Sequence, residues 1–263
     1  MINENQYASS KKYEARIYLS KKFRTNPVSK LEWIFDCFPK KESLAILELG
    51  CGTGLFWLAN RNRIPRSWSM LLTDYSSGML ETTRGNLSRL SRDFRFEQLN
   101  AEDIQYGDAA FDVVLANNML YHLQNRDRTF ENIHRILKDD GVFIASTMGK
   151  GNLSELHHHL YAFLDGKRHP FRFRELAFSL DNGMEQLSKH FRNVELKKHP
   201  DELVIDEADA VVNYYLSLNE ISGRAIILPE EYGAEFRDYL QNIIEKEGPL
   251  RTTKDEGVFV CSR

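Results

Sequence analysis

The densest chemistry in this sequence lies in seven consecutive residues, Glu48-Leu49-Gly50-Cys51-Gly52-Thr53-Gly54. Glycines at alternate positions let the backbone turn sharply and let a ligand lie against main chain, with the N-terminus of a following helix behind it. Two cofactor classes use that device. The dinucleotide fingerprint needs Gly-x-Gly-x-x-Gly. Here the third glycine, Gly54, comes one residue early, and Leu55 holds the fingerprint position. Glu48 is a second discriminator, because a carboxylate at the end of a strand repels a pyrophosphate but can receive an ammonium group directly or through water. Spacing and acid together favour a cofactor with a cationic amino-acid end and oppose a nicotinamide-dependent oxidoreductase. A second acid, Asp74, follows in Thr73-Asp74-Tyr75-Ser76. An acid about 20 residues beyond such a loop can bind both ribose hydroxyls. Taken alone, Asp74 reads equally well as the N-cap of the next helix.

These residues need a scaffold, and the pattern around them supplies one. Leu44 to Leu49 is a short apolar run ending in glycines, which predicts a buried strand. Further strands are predicted at 68–73, 94–99, 111–116 and 142–146, with helices at 55–63, 77–91 and 127–137. Phe130, Ile133, Ile136 and Leu137 form one apolar stripe on the last of these helices, and Asp140-Gly141 marks its end. Strands alternating with helices imply a parallel sheet covered on both faces. After Thr147 the rhythm breaks. Stretches 191–199 and 202–205 read as extended, 208–218 and 229–247 as helical, and 257–262 as a last strand.

The bulk properties fit one large α/β domain, or one domain carrying a smaller subdomain. The chain has 263 residues, a hydrophobic fraction of 42% and a net charge of −3. That balance gives no general attraction to nucleic acid or anionic membrane. No stretch approaches the ~18 apolar residues of a membrane span, and no basic-then-apolar leader opens the chain. Three widely spaced cysteines, Cys37, Cys51 and Cys261, fit a reduced, cytoplasmic protein. Neither Cys-x-x-Cys nor His-Glu-x-x-His occurs, so no metal is expected. His157-His158-His159 cannot ligate one ion together, because successive helix positions diverge by about 100°; a surface or lid helix is expected there. Phe171, Phe173 and Phe178 with Arg168, Arg172 and Arg174 read as an amphipathic lid rather than a nucleic-acid surface.

In order, Glu48-x-Gly50-x-Gly52-x-Gly54, Asp74-Tyr75-Ser76-x-x-Met79-Leu80, Phe111-Asp112-Val113-Val114, Leu120-Tyr121-His122-Leu123 and Arg135 to Gly141 resemble the motifs of class I S-adenosylmethionine-dependent methyltransferases. They are most similar to the small-molecule subgroup of the methyltransferase-11 type, over about residues 44–147. The resemblance implies a Rossmann-like, seven-stranded, doubly wound sheet. Segment 1–40 would be an N-terminal helical lid on a methyltransferase domain at 41–263, with 148–220 a substrate-covering insertion after the fifth strand.

The resemblance also implies roles. Glu48, Gly50 and Gly52 would line the methionine part of S-adenosylmethionine, and Gly54 would open the helix. Asp74 would hold the ribose, while Tyr75 or Met79 flanks the adenine. Asn100-Ala101-Glu102 stands where the family commonly has Asp-Ala, against the adenine amino group; an amide oxygen can still accept that bond. Asn117 would meet the methionine amino group through backbone or side chain, although it and Asn118 also read as turn residues. His122 could serve as a base, with Tyr121 beside it orienting the acceptor. Residues Asn117-Asn118-Met119-Leu120 are neither the Asn/Asp-Pro-Pro-Tyr/Phe of base- and amide-nitrogen enzymes nor the Pro-Cys of cytosine enzymes. A small-molecule acceptor is therefore expected rather than DNA, with RNA disfavoured by charge. A catalytically silent binding protein of the same fold is the other alternative.

Overall fold

A computed structural model describes residues 10–169, 171–173, 175–219 and 226–263, with side chains from Ala15 onward. Arg174 lies outside the described residues. The chain divides into two compact units. One comprises Val28–Gly149, Leu176–His199 and Glu256–Arg263; the other comprises residues up to Pro27, Lys150–Glu175 and Pro200–Asp255. Segments 1–40 and 148–220, read as a lid and an insertion, are each divided between the units.

The first unit is built on the sheet. Strands β1 (Ala45–Leu49), β2 (Ser69–Asp74), β3 (Asp93–Gln98) and β4 (Phe111–Asn117) run parallel with β5 (Leu137–Met148). With β6 (Asn193–Ile205) and β7 (Leu250–Ser262) they make a seven-stranded sheet in the order β3-β2-β1-β4-β5-β7-β6. β7 is antiparallel to β5. Helices α2 (Lys30–Phe35), α3 (Leu55–Ala59), α4 (Ser77–Leu87), α5 (Arg126–Ile136) and α7 (Gly183–Leu187) complete the unit.

Alternation along the strands explains why helices cover both faces. Leu47, Leu49, Val114, Ala116, Phe143 and Ala145 point to one side, where Phe130, Ile133 and Ile136 of α5 and Leu187 of α7 join them. Ile46, Met70, Leu72, Val113, Leu115 and Ile144 point to the other, against Ile34 and Phe35 of α2, Phe56 and Trp57 of α3, and Leu80 and Leu87 of α4. The doubly wound, Rossmann-like expectation therefore holds. Asp112, a motif residue, works in the scaffold: it accepts hydrogen bonds from the Ala45 N–H and Lys138 Nζ, both at 2.8 Å. Burial acts to raise its carboxyl, but these donors, with Lys41 nearby, hold it below the ordinary carboxylate range.

Two predicted boundaries shift. Helix α5 ends at Ile136, and β5 starts at Leu137, paired with Phe111, before the register shifts toward Val113. Asp140-Gly141 thus lies inside an irregular strand instead of ending a helix. The two extended stretches after 191 are one strand, β6, passing through Pro200. Proline is tolerated there because β6 is an edge strand, where a missing N–H need break no ladder bond.

The other unit is helical, with α1 (Ser10–Phe23), α6 (Ser154–Gly166), α8 (Ala208–Leu218) and α9 (Gly233–Glu247). It has its own core, including Leu19, Leu156, Leu160, Val211, Tyr215, Phe236 and Leu240. Glu155 fastens it, accepting from the Thr252 and Thr253 hydroxyls and the Thr253 N–H, each at 2.9 Å. His157 sits half-buried on α6, its ring 4.4 Å from that of Phe173. His158 is exposed, and His159 approaches Tyr239. Phe178 does not share a surface with Phe171 and Phe173; it is buried in the core of the sheet unit. No helix among the described residues is long and apolar enough to cross a membrane.

Candidate active site

Parallel strands bring their C-terminal ends to one edge. Glu48 and Leu49 end β1, Asp74 ends β2 and Asn117 ends β4, with Leu49 in register with Thr73 and Ala116. Sequence positions almost 70 residues apart therefore meet at one rim, where open α/β sheets bind ligands.

Between β1 and α3 the chain makes its glycine turn. Gly50, Gly52 and Gly54 have φ of 70°, 56° and 74°, in the left-handed region that side chains disfavour. A Cβ on Gly54 would stand 2.9 Å from Thr83 Cγ2, and one on Gly50 would meet Met119 at 3.1 Å. Nothing lies within 4 Å of the place a Gly52 Cβ would occupy. Gly52 thus presents bare main chain to open space, while its neighbours are pressed against α4 and the segment after β4. The Thr83 hydroxyl donates to Gly52 O at 2.6 Å, and the Cys51 N–H donates to Thr73 O at 2.9 Å, fixing the loop. Cys51 is buried, which pushes its thiol up and away from reactivity.

Glu48 is 1% exposed within a strand otherwise made of apolar side chains. Its Oε2 accepts from the Trp57 indole N–H at 2.6 Å, and its Oε1 accepts from Asn117 Nδ2 at 3.3 Å. Asn117 Oδ1 in turn accepts from the Ser146 hydroxyl at 3.0 Å. Burial pushes the Glu48 carboxyl up to about 8; the two donors oppose that shift and Asp74 adds to it.

Asp74 is not an N-cap. That position is Ser76, whose Oγ accepts from the Met79 N–H. Asp74 instead accepts from the Gly52 N–H on Oδ2 and from the Ser76 N–H on Oδ1, both at 2.9 Å. It couples the glycine loop to the start of α4. Burial raises its carboxyl pKa against these main-chain bonds. Tyr75 is exposed and Met79 is buried.

Farther along the rim, Asn100 Oδ1 accepts from the Glu102 N–H at 3.0 Å, forming a local turn around buried Ala101. Glu102 Oε1 accepts from the Asn125 N–H at 2.8 Å and from the Gln124 N–H, which ties that turn to the segment before α5. Tyr121 and His122 share the single 3₁₀ turn Leu120–His122, both half-buried, with ring centroids 4.6 Å apart. Burial lowers the His122 pKa.

The structure thus brings Glu48, the three glycines, Asp74 and Asn117 to one rim, with hydrogen bonds from the Gly52 N–H to Asp74 and from Asn117 to Glu48. Sequence reasoning missed two members. Trp57 carries the signal of an indole in the first turn after the glycine loop, but its apolar periodicity reads as core. Asn118 takes a left-handed φ of 50° directly after β4, with a buried Oδ1 that has no hydrogen-bond partner. Among the described residues no group of three or more His, Cys, Asp or Glu side chains could hold a metal ion.

A mostly parallel sheet with this glycine turn, a buried acid at the end of β1 and a second acid at the end of β2 defines the class, a doubly wound α/β domain. Comparison with known proteins adds that residues 47–145 match the model of the methyltransferase domain. Over 115 residues it is 33% identical to a malonyl-[acyl-carrier protein] O-methyltransferase of Geobacter sulfurreducens, spanning 44% of this chain and 42% of the relative. Over 182 residues it is 25% identical to the ubiquinone/menaquinone biosynthesis C-methyltransferase UbiE of Pasteurella multocida, spanning 68% and 67%. The chain spans less than half the length of the O-methyltransferase it matches. Its fold is similar to that of the YcgJ protein of Bacillus subtilis, with a TM-score of 0.55 at 17% identity over 88% of this chain and 95% of that one.

Proposed function

We propose that this chain transfers the methyl group of S-adenosylmethionine to an oxygen, nitrogen or carbon atom of a small-molecule acceptor. The observation that carries the reading is the pairing of buried Glu48 with the bare main chain of Gly52, next to Asp74. That donor set fits an amino-acid nucleoside: a carboxylate for the ammonium end, an open glycine for close backbone approach, and a second carboxylate with lone pairs left for two hydroxyls. It does not suit a pyrophosphate. When bound, the cofactor supplies an electrophilic methyl on a sulfonium, so the protein's own work is alignment and water exclusion.

Within this reading Gly50, Gly52 and Gly54 shape the loop, and Asp74 takes the ribose. Tyr75 and Met79 border the adenine, with the second lone pair of Asn100 Oδ1 and the Ala101-Glu102 turn at its amino edge. Asn117 acts through Glu48. His122 would be the base, and Tyr121 would orient the acceptor.

Whether a base matters depends on the acceptor. A malonyl carboxylate is ionised at neutral pH and needs none, whereas a hydroxyl, an ammonium or a carbon acid must lose a proton. The relatives' names supply both kinds for a panel. The test is transfer of radiolabelled methyl from S-adenosylmethionine to malonyl-[acyl-carrier protein], to a quinone-biosynthesis intermediate and to bulk RNA, beside a binding measurement. S-adenosylhomocysteine at a hundredfold excess over its Kd should stabilise the protein by about 2.7 kcal/mol. Stabilisation by NAD and none by S-adenosylhomocysteine would overturn the assignment. Cofactor binding with no methyl transfer to any metabolite would favour a silent binding protein.

A further inference from the structure

The ammonium-binding role given to Glu48 has a physical difficulty. The ionisable groups that interact with it are Asp74, which opposes its charge, and Cys51 in the glycine loop; neither is cationic. A buried carboxyl in that setting tends to hold its proton, and a protonated acid has little attraction for an ammonium. Only neutral donors favour the anion here. Asn117 Nδ2 is a long 3.3 Å away, while the Trp57 indole N–H stands at 2.6 Å. An indole N–H can only donate, so it always favours an oxygen with a free lone pair.

Trp57 is also held rigidly. It is fully buried, and its ring is set edge-on to Phe38, Phe56 and Phe94 at interplanar angles of 83°, 88° and 68°. Its main-chain N–H donates to Gly54 O at 3.1 Å, fixing it relative to the glycine turn. The indole cannot swing away from Glu48 without disturbing that aromatic cluster.

We propose that Trp57 is a positioning residue for cofactor binding: its indole N–H favours the ionised form of the Glu48 carboxylate and aims it at the cofactor's ammonium group. This rests on the reading of Glu48 as the ammonium site. It turns what looks like an ordinary core tryptophan into part of the binding machinery.

The test compares two ligands by calorimetry from pH 6 to 9. S-adenosylhomocysteine carries the ammonium; 5′-methylthioadenosine shares the nucleoside but lacks the amino-acid end. Trp57→Phe keeps an aromatic ring and loses only the donor. It should bind 5′-methylthioadenosine like the native protein, which shows that the nucleoside site is folded. It should bind S-adenosylhomocysteine at least about tenfold more weakly at pH 7, the loss expected for a hydrogen bond to a charged group. The loss should shrink as pH rises and ionises Glu48 without help. Glu48→Gln should abolish the preference for S-adenosylhomocysteine at every pH.

A second measurement needs no Trp57 variant. In ¹⁵N-labelled native protein the Trp57 indole N–H resonance should titrate in step with S-adenosylhomocysteine affinity and should be flat in Glu48→Gln, with Trp33 and Trp68 as internal references. An unchanged ligand preference in Trp57→Phe, a loss that ignores pH, or an indole resonance that does not titrate overturns the proposal. Native protein that binds neither ligand refutes the cofactor reading itself. Glu48→Gln protein that keeps its preference refutes the role of Glu48, and with it that of Trp57.

Discussion

Glu48→Gln should make the ligand-free protein more stable in alkali. The carboxyl ionises near 4.5 in ordinary surroundings and is pushed up to about 8 by burial. Below about pH 4.5 both folded and unfolded chains carry the proton, and Glu48 contributes no pH dependence. Between 4.5 and 8 the unfolded chain releases the proton while the folded chain keeps it, so unfolding is favoured as pH rises. Each unit of that window costs about 1.4 kcal/mol, so the full span costs roughly 5 kcal/mol before any relaxation around the charge. At 1% exposure, solvent screening does little to reduce it. Glutamine is the neutral isostere, with a carbonyl oxygen to accept from Trp57, and it mimics the protonated acid. Urea denaturation of native and Glu48→Gln protein at pH 5, 7 and 9, without cofactor, reads the effect. The two should be close at pH 5, and the variant should be ahead by several kcal/mol at pH 9. Parallel pH profiles would refute the argument, since they would mean that Glu48 is already ionised in the folded chain near its ordinary pKa. Saturating S-adenosylhomocysteine should shrink the difference by favouring native protein, whose carboxylate can meet the ammonium.

Asp74→Ala should weaken S-adenosylhomocysteine by at least about tenfold in calorimetry, because it removes the charged acceptor proposed for the ribose and the bond that fixes Gly52. Unchanged affinity would exclude Asp74 from the site. His122→Ala should lower kcat by about 10²–10⁴ for an acceptor that must lose a proton and leave a carboxylate acceptor unaffected. Because burial lowers its pKa, the native rate should fall on acidification only below pH ~6.5, which a pH–rate profile with an assigned acceptor tests. His157 is held down to about 4, chiefly by burial. As pH falls from 6.5 toward 4 the unfolded chain takes up its proton first, and stability should fall by about 3 kcal/mol. His157→Gln should flatten that acid limb in urea titrations, and an unaltered limb would show that His157 is protonated in the folded chain.

How much of this was legible in the sequence depended on the range of the interaction. The five parallel strands were readable because each is a short local pattern, closed in β1 by glycine and in β2 by an acid, and alternation fixes the faces. Glu48 and Asp74 were readable for the same reason, as acids placed where strand periodicity ends. The start of β5 was not. Asp140-Gly141 is a good local helix stop, and only pairing of Leu137 with Phe111, 26 residues earlier, overrules it. Pro200 likewise looks like a strand break until the sheet order places β6 at an edge. The division into two units was hidden because both mix early, middle and late segments.

Within the site the same distinction separates residues by type. A glycine or a carboxylate in an apolar strand is anomalous on its face, so the sequence reveals it. A tryptophan in a short apolar helix is ordinary, and its apolar surface conceals a single polar atom. Trp57 therefore passes as core in any pattern-based reading, although its one N–H falls on the one buried acid of β1. Asn117 is intermediate: the sequence places it at the rim, but only the fold shows its amide engaged with Glu48 and Ser146. In a site that relies on a buried carboxylate, the groups that decide its charge are its neighbours in space. Those neighbours come from α3 and β4, and register and helix packing bring them together, not sequence spacing.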